Sequence, residues 1–336
     1  MSYDPYSQQS ERESAPRNAR GQGIPQGADP RYAPNPRQGT IGVPGGGLLR
    51  ILLGNPKIIA MLGMLLFGYI TYSSSTKKVT NPFTGETVKL SKDMTPEKEV
   101  ALGLQSVPEM VQQFGGEVRD PRLRNKINQI ASRLLDAKEK IIQKRIADGH
   151  GHEDFDYPFA FHVLQDNKTI NAFALPGGQV FITMALLEKL PSEDAVAGVL
   201  GHEIGHVLAW HSAKQMAKSG LLQSIMSAVA MATGNGNGAG QAVGQMVGQL
   251  MQTKYGRADE SQADRIGVQL LTVAGYKPEA LVDVMKVLAE SMKGGARPPE
   301  ILSSHPFPEN RAKQIAEYIK FFSRNPFDYW SGGYQN

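Results

Sequence analysis

Three of the chain's seven histidines, His202, His206 and His211, fall within fourteen residues, VLGHEIGHVLAWHS, around one acid, Glu203. At about 100° per residue on a helix, His202 and His206 differ by about 40° and stand one turn apart on one face. Two imidazoles so placed can bind one Zn²⁺ at about 2.0–2.1 Å. Glu203 lies beside that face, where it can take a proton from the attacking water. His211 follows His202 by nine residues, about 180° round, so a continuous helix carries it to the opposite side. Joining the pair would require the helix to break.

HExxH also arises on ordinary amphipathic helices, so a metal site needs a third ligand. The arrangement HExxHxxGxxH requires Gly at 209 and His at 212, where this sequence has Ala209 and Ser212. A Glu about twenty residues beyond the second histidine, as in the thermolysin-like arrangement, is also absent. No charged residue occurs from Ser219 to Thr253. The first acids beyond that gap lie in YGRADESQADRIG. There Glu260 and Asp264, spaced i, i+4 on a predicted helix, share a face. Glu260 is the candidate third ligand, and Asp264 the candidate partner for the outer nitrogen of a ligand histidine. Asp259 is the rival ligand, but it lacks an acid four residues on.

Composition narrows the chemistry further. The chain has 336 residues, 40% hydrophobic and 20% charged, with no cysteine and a formal charge of +4. Disulfides, thiolate catalysis and cysteine-ligated metals are excluded, leaving His, Asp and Glu as ligands. So small and scattered a positive charge gives no footprint for nucleic acid.

The elements that must position these groups follow a sparse start. Residues 1–47 are rich in Gly, Pro, Ser, Gln and Arg, too poor in apolar surface to offset their ordering entropy, and read as a disordered tail. Residues 48–75 read as a transmembrane anchor. The uncharged run Ile58–Ser75 is 18 residues long, near the lower limit of about 17 for a spanning helix. Basic residues flank it on both sides, and the arginine-rich tail favours an N-terminus inside. That orientation puts a single-pass protein's large domain outside the cytoplasm, on the periplasmic side if the membrane is a bacterial inner one.

Residues 76–325 read as one mostly helical domain, with 326–336 as an aromatic C-terminal tail. Asp120 and Pro121 supply an N-cap and first helical position. FAFHVLQD reads as a strand, and NAFALPGGQVFIT as two strands joined by a Pro-Gly-Gly turn. Ser192, with Glu193 and Asp194 behind it, opens the helix that carries the histidines. Further helices are predicted over 258–274, 278–292 and 308–322. The uncharged interval 219–253 fits a packed helical pair or, as preferred here, a glycine-hinged flap over a cleft.

NAFALPGG, HEIGH, GRADESQAD and SSHPFPENRAKQI, in that order over roughly residues 85–322, resemble the zinc metallopeptidase family that includes HtpX and the CAAX prenyl endopeptidase. The closer likeness is to its single-domain members, such as the bacterial protease BepA and the mitochondrial inner-membrane protease. Gly256 departs from the pattern, in which a small polar residue is commoner before the Arg.

The resemblance implies an α+β, mostly helical, zincin-like domain with a small sheet beside the HExxH helix. It also implies one Zn²⁺ per chain and a metalloendopeptidase activity on unfolded or misfolded polypeptides at a membrane. His305 and Arg311 become candidates for the far wall of the cleft, as oxyanion donors; His305 is alternatively a resting-state ligand in the metal's open position. Asn171 and Ala172 become the candidate substrate contacts, on a strand able to hold an extended backbone by β-augmentation. A scaffold or chaperone-like protein with a closed protease site is the alternative reading.

Overall fold

Glycines decide how closely the two central helices meet. α4 (Glu193–Leu208) carries the histidine motif and α6 (Arg257–Ala274) the acidic one. A Cβ at Gly205 would stand 2.8 Å from the Ala263 carbonyl oxygen, and one at Gly267 would stand 3.2 Å from the His202 nitrogen. At Gly205 only hydrogen permits the approach that brings Glu260 to the histidine pair, and at Gly267 a methyl would press the His202 backbone by a few tenths of an ångström.

These helices belong to a computed structural model that describes residues 74, 76–92, 94–149, 156–219, 254–293, 299–305 and 310–329. All of them lie in one unit running from Met64 to Asn336. The anticipated anchor, apart from Ser74, and nearly all of the anticipated flap lie outside the described residues. Among the described residues no helix is long and apolar enough to cross a membrane.

A hairpin opens the described fold, with β1 (Thr76–Thr80) antiparallel to β2 (Thr87–Ser91) and Thr76 opposite Ser91. Helices α1 (Pro96–Gln113) and α2 (Pro121–Ala147) follow. Asp120 caps α2 as predicted, its carboxylate accepting from the Arg122 N–H at 2.9 Å. Three strands come next: β3 (Ala160–Leu164), β4 (Ala172–Leu175) and β5 (Gln179–Thr183). Their order is β3-β5-β4, with β5 parallel to β3 and antiparallel to β4. The predicted Pro-Gly-Gly turn joins β4 to β5, and Gly177 and Gly178 there have φ of +79° and +95°, which glycine adopts without steric cost.

The short α3 (Met184–Leu187) leads to α4, which opens on Ser192, whose hydroxyl accepts from the Ala195 N–H at 3.1 Å. α5 (His211–Ser219) precedes α6, and α7 (Ala280–Lys293), α8 (Ile301–Ser304) and α9 (Arg311–Phe322) complete the chain. The main core joins Ile127, Leu134 and Ile141 of α2 to Leu200 and Ile204 of α4, Val268 and Leu271 of α6, Leu281 of α7 and Ile315 of α9. A second cluster packs Leu102 and Met110 of α1 against Phe173, Phe181, Trp210 and Met216.

α4 does not run on to His211. Ala209 caps it and Trp210 takes a left-handed φ of +57°, a conformation costing about 1–2 kcal/mol outside glycine. The Trp210 side chain, 8% exposed, packs into the second cluster. Asn81, in the β1–β2 turn, satisfies the exposed helix end by donating to the Leu208 carbonyl at 2.8 Å. The break folds α5 back beside α4.

Candidate metal centre

His202 and His206 stand one turn apart in the second half of α4, both buried, with their Nε2 atoms 3.0 Å from each other. Glu260, in the first turn of α6, reaches both: Oε2 is 3.6 Å from His202 Nε2, and Oε1 is 3.5 Å from His206 Nε2. His305, directly after α8, adds its Nδ1 at 2.9 Å from Glu260 Oε1 and 3.4 Å from His202 Nε2. One donor atom from each of these four residues lies within 4.8 Å of every other.

The chemistry of this set fits a zinc ion. Donors around a tetrahedral Zn²⁺ with bonds of about 2.0–2.1 Å stand about 3.3 Å apart. The His202 Nδ1 is taken by Asp264 Oδ1 at 2.9 Å, so this ring donates outward and turns the lone pair of Nε2 to the centre. Glu260 Oε2, wholly buried, has no hydrogen-bond partner among the described residues. Arg311 Nη1 faces that oxygen at 3.1 Å, and the imidazole lone pairs that converge with Glu260 on one point suit a cation between them.

Burial works against an ionised Asp264, but the Arg311 guanidinium outweighs it and holds the carboxyl well below the usual carboxylate range. Arg311 opens α9 and is itself buried, donating from Nε and Nη2 to Asp264 at 2.6 and 2.8 Å. Its Nη1 stands 3.1 Å from Glu260 Oε2. Burial likewise opposes ionisation of Glu260, and His305 and Arg311 overcome it. Burial, reinforced by the neighbouring His202 and His211, pushes His206 well below the ordinary imidazole range. Glu260 and Asp264 are thus held as carboxylates and His206 as a neutral imidazole, the forms that bind a metal. Burial opposes a charge on His305, but Glu260 and Glu203 outweigh it and raise that imidazole above its ordinary range.

Glu203 is 1% exposed, and its Oε1 lacks a hydrogen-bond partner among the described residues. It stands 3.8 Å from His305 Nε2. Beside it, Val199, Val284, Met285 and Leu288 form an apolar wall that also borders His202.

The structure thus brings together His202, Glu203, His206, Glu260, Asp264, His305 and Arg311 from three helices and the end of a fourth. Arg311 is spent on the carboxylates of Asp264 and Glu260 instead of facing open space. Asp259 stays outside the cluster, 3.2 Å from Lys214 Nζ and 3.5 Å from His211 Nε2. Asn171 and Ala172 lie at the start of β4, an edge of its sheet. Asn171 is tied to β5, its carbonyl accepting from the Thr183 N–H at 3.0 Å. By the alternation of an antiparallel ladder, the main-chain groups of Ala172 and Ala174 then face away from β5. Next to them, the Ile170 carbonyl accepts from the Ile301 N–H at 3.3 Å, which joins the strand to the helix before His305.

Two contacts escape sequence reasoning. His211, expected on the opposite face, meets His206 Nδ1 with its own Nδ1 at 2.8 Å because the helix breaks at Trp210. An aromatic residue in a left-handed conformation leaves no local mark in a sequence; the only cue is a third histidine close behind a buried motif. Tyr255, just after the uncharged interval, lays its ring 4.0 Å from that of His206, and its N–H donates to the Ser304 carbonyl at 3.0 Å. It joins the entry of α6 to the segment bearing His305.

A sequence model described as peptidase family M48 matches residues 136–319, more than half of the chain. The chain is 32% identical to the beta-barrel assembly-enhancing protease of Escherichia coli (strain K12) over 201 residues, 58% of this chain and 38% of that protein. It is 27% identical to the mitochondrial metalloendopeptidase OMA1 of Saccharomyces cerevisiae over 230 residues, 66% of this chain and 64% of that one. With OMA1 of Schizosaccharomyces pombe the identity is 31% over 180 residues, 53% and 51% of the two chains. The chain spans less than two thirds of the length of each of these relatives.

Proposed function

This chain belongs to peptidase family M48, and on that premise we propose that it is a zinc-dependent metalloendopeptidase that hydrolyses unfolded or extended polypeptides at a membrane. The observation that carries the reading is the convergence of His202, His206 and Glu260 beside a buried Glu203 whose Oε1 has no described hydrogen-bond partner.

His202, His206 and Glu260 would hold the metal. When bound, zinc supplies the Lewis acid that polarises the scissile carbonyl. Glu203 takes a proton from the attacking water and delivers it to the amine nitrogen as the C–N bond breaks, so acid and amine leave with the elements of water shared between them. Asp264 holds the His202 ring, and Arg311 holds Asp264 and Glu260. The outward main chain of Ala172 and Ala174 pairs with an extended substrate, which reads backbone and favours unfolded chains over one sequence. The apolar wall of Val284, Met285 and Leu288 takes a neighbouring side chain.

His305 favours a second, closed form of the same site. Its Nδ1 lies 2.9 Å from Glu260, where it completes the ligand set and must withdraw before substrate enters. In that form the protein binds chains without cutting them. Ile58–Ser75 serves as the single membrane anchor, with the peptidase domain on the non-cytoplasmic side.

The test is cleavage of reduced casein by the zinc-loaded full chain in detergent, alongside Glu203→Gln. Cleavage by the parent alone supports the endopeptidase and assigns the base. Cleavage by both removes Glu203 from its role. Cleavage by neither, with zinc retained, favours the closed form, and His305→Ala should then release activity.

A further inference from the structure

His206 needs a partner at its outer nitrogen as His202 does, and none of its carboxylate neighbours supplies one. We propose that His211 is the positioning residue that fixes the tautomer of His206, and that Gln262, held by Lys214, sets His211 in turn. The inference rests on the reading of His202, His206 and Glu260 as a metal site.

The Trp210 kink delivers the His211 ring edge-on to His206, with centroids 4.7 Å apart and planes at 71°. Their Nδ1 atoms are 2.8 Å apart, so one carries a proton and the other a lone pair. The far end of His211 decides which. Its Nε2 lies 2.9 Å from Gln262 Oε1 and 3.5 Å from Asp259 Oδ1. The same Gln262 oxygen accepts from Lys214 Nζ at 3.3 Å. Rotating the amide would set its NH₂ against an ammonium, so the oxygen stays where it is.

His211 Nε2 is therefore the donor, and its Nδ1 bears the lone pair. His206 Nδ1 must then donate, which leaves its Nε2 free to face His202 and Glu260. Asp259 Oδ1, 3.5 Å from His211 Nε2 and 3.2 Å from Lys214 Nζ, adds a second acceptor at that end, so the far end of His211 faces acceptors and keeps its proton there. The two ligand histidines are thus oriented by different means. An ionised Asp264 serves His202, while a neutral imidazole serves His206 and adds no charge to a site that already holds three carboxylates, Glu203, Glu260 and Asp264.

The wild-type full chain answers directly, without zinc. Ring ¹⁵N shifts of His206 should show Nδ1 protonated and Nε2 bare, with His211 protonated at Nε2. The opposite tautomer of His206 would overturn the proposal whether or not the protein proves to be a peptidase. Zinc affinity by chelator competition gives the second readout. His211→Leu should bind about 10–100-fold more weakly, and His211→Asn, whose Oδ1 can accept from His206 Nδ1, should recover most of the loss. Metal-free melting temperatures of the two variants should agree. Wild-type affinity in His211→Leu, or an His211→Asn no better than His211→Leu, would refute the relay.

Discussion

Gly205 of α4 and Ala263 of α6 lie so close that a methyl group at 205 would meet the Ala263 carbonyl oxygen at 2.8 Å. Glu260 sits one helical turn before Ala263, so the spacing of the two helices sets the reach of this candidate third ligand to the histidine pair. Side-chain identity at the centre would be useless without this small residue between them.

Gly205→Ala should therefore force the helices apart at a stability cost of about 1–3 kcal/mol, the usual range for overpacking. Zinc affinity should fall with it, because Glu260 recedes from His202 and His206. Denaturant unfolding of the metal-free protein and chelator titration measure the two effects. A variant that keeps both wild-type values would show that the contact yields without moving α6.

Asp264 joins the ligand sphere to the Arg311 clamp. Asp264→Asn keeps shape and leaves one oxygen for His202 but removes the charge that two Arg311 hydrogen bonds use. Zinc affinity should drop about 10–100-fold, as for other losses of a ligand's orienting partner. Stability should fall by about 1–3 kcal/mol, because a buried guanidinium loses one of its two carboxylate partners and keeps Glu260. If calorimetric unfolding and zinc titration both matched the parent, Arg311 would have to be satisfied by Glu260 alone.

Much of this centre was legible in the sequence for one reason: helical spacing is local. HExxH puts His202 and His206 on one face, and the i, i+4 pair puts Glu260 and Asp264 on another, whatever the rest of the chain does. The caps at Asp120 and Ser192 and the Gly177–Gly178 turn are local too. The break at Trp210 was not legible, since it depends on burying an indole in a cluster built from distant α1, β4 and β5. The same break makes a partner of His211, and its open end is closed by Asn81 from 127 residues away. The β1–β2 hairpin is not legible either, since Lys77, Lys78 and Lys89 in its strands fit the basic flank of a membrane anchor equally well. No local pattern in the sequence pairs Arg311 with Asp264 and Glu260, because α9 and α6 meet only in the folded chain.

Glu99 on α1 is 5% exposed, and burial pushes its carboxyl up to about 8, with the Tyr157 hydroxyl drawing it partway back. The unfolded chain releases this proton near the ordinary value of 4.5 and the folded chain near 8. Stability from this group is thus complete below pH 4.5 and is lost progressively as pH rises towards 8. At about 1.4 kcal/mol per pH unit the loss amounts to several kcal/mol at most. Glu99→Gln stays neutral throughout and should flatten the decline, leaving the variant more stable than the parent at pH 8. Parallel stability curves for the two proteins from pH 5 to 8 would contradict the burial account.

Arg145 of α2 holds three separate pieces of chain. Its guanidinium donates to the Phe83 carbonyl at 2.6 Å, to Gln269 Oε1 at 3.2 Å, and to the Phe327 and Asp328 carbonyls at 2.8 and 3.0 Å. The Tyr329 ring covers it at 3.9 Å, and the Tyr329 hydroxyl donates to the Pro82 carbonyl at 3.0 Å. The aromatic tail therefore docks at least as far as Tyr329, bridging the β1–β2 turn, α2 and α6. Arg145→Met keeps the stem and removes every donor, stranding several carbonyls at about 1–3 kcal/mol for each that stays buried. Stability should fall by about 3 kcal/mol or more, and limited proteolysis should cut first within residues 323–329. Zinc affinity should hold, because none of these groups touches the ligand set. A variant whose tail resists protease as the parent does would show that Tyr329 and Gln269 suffice to hold it.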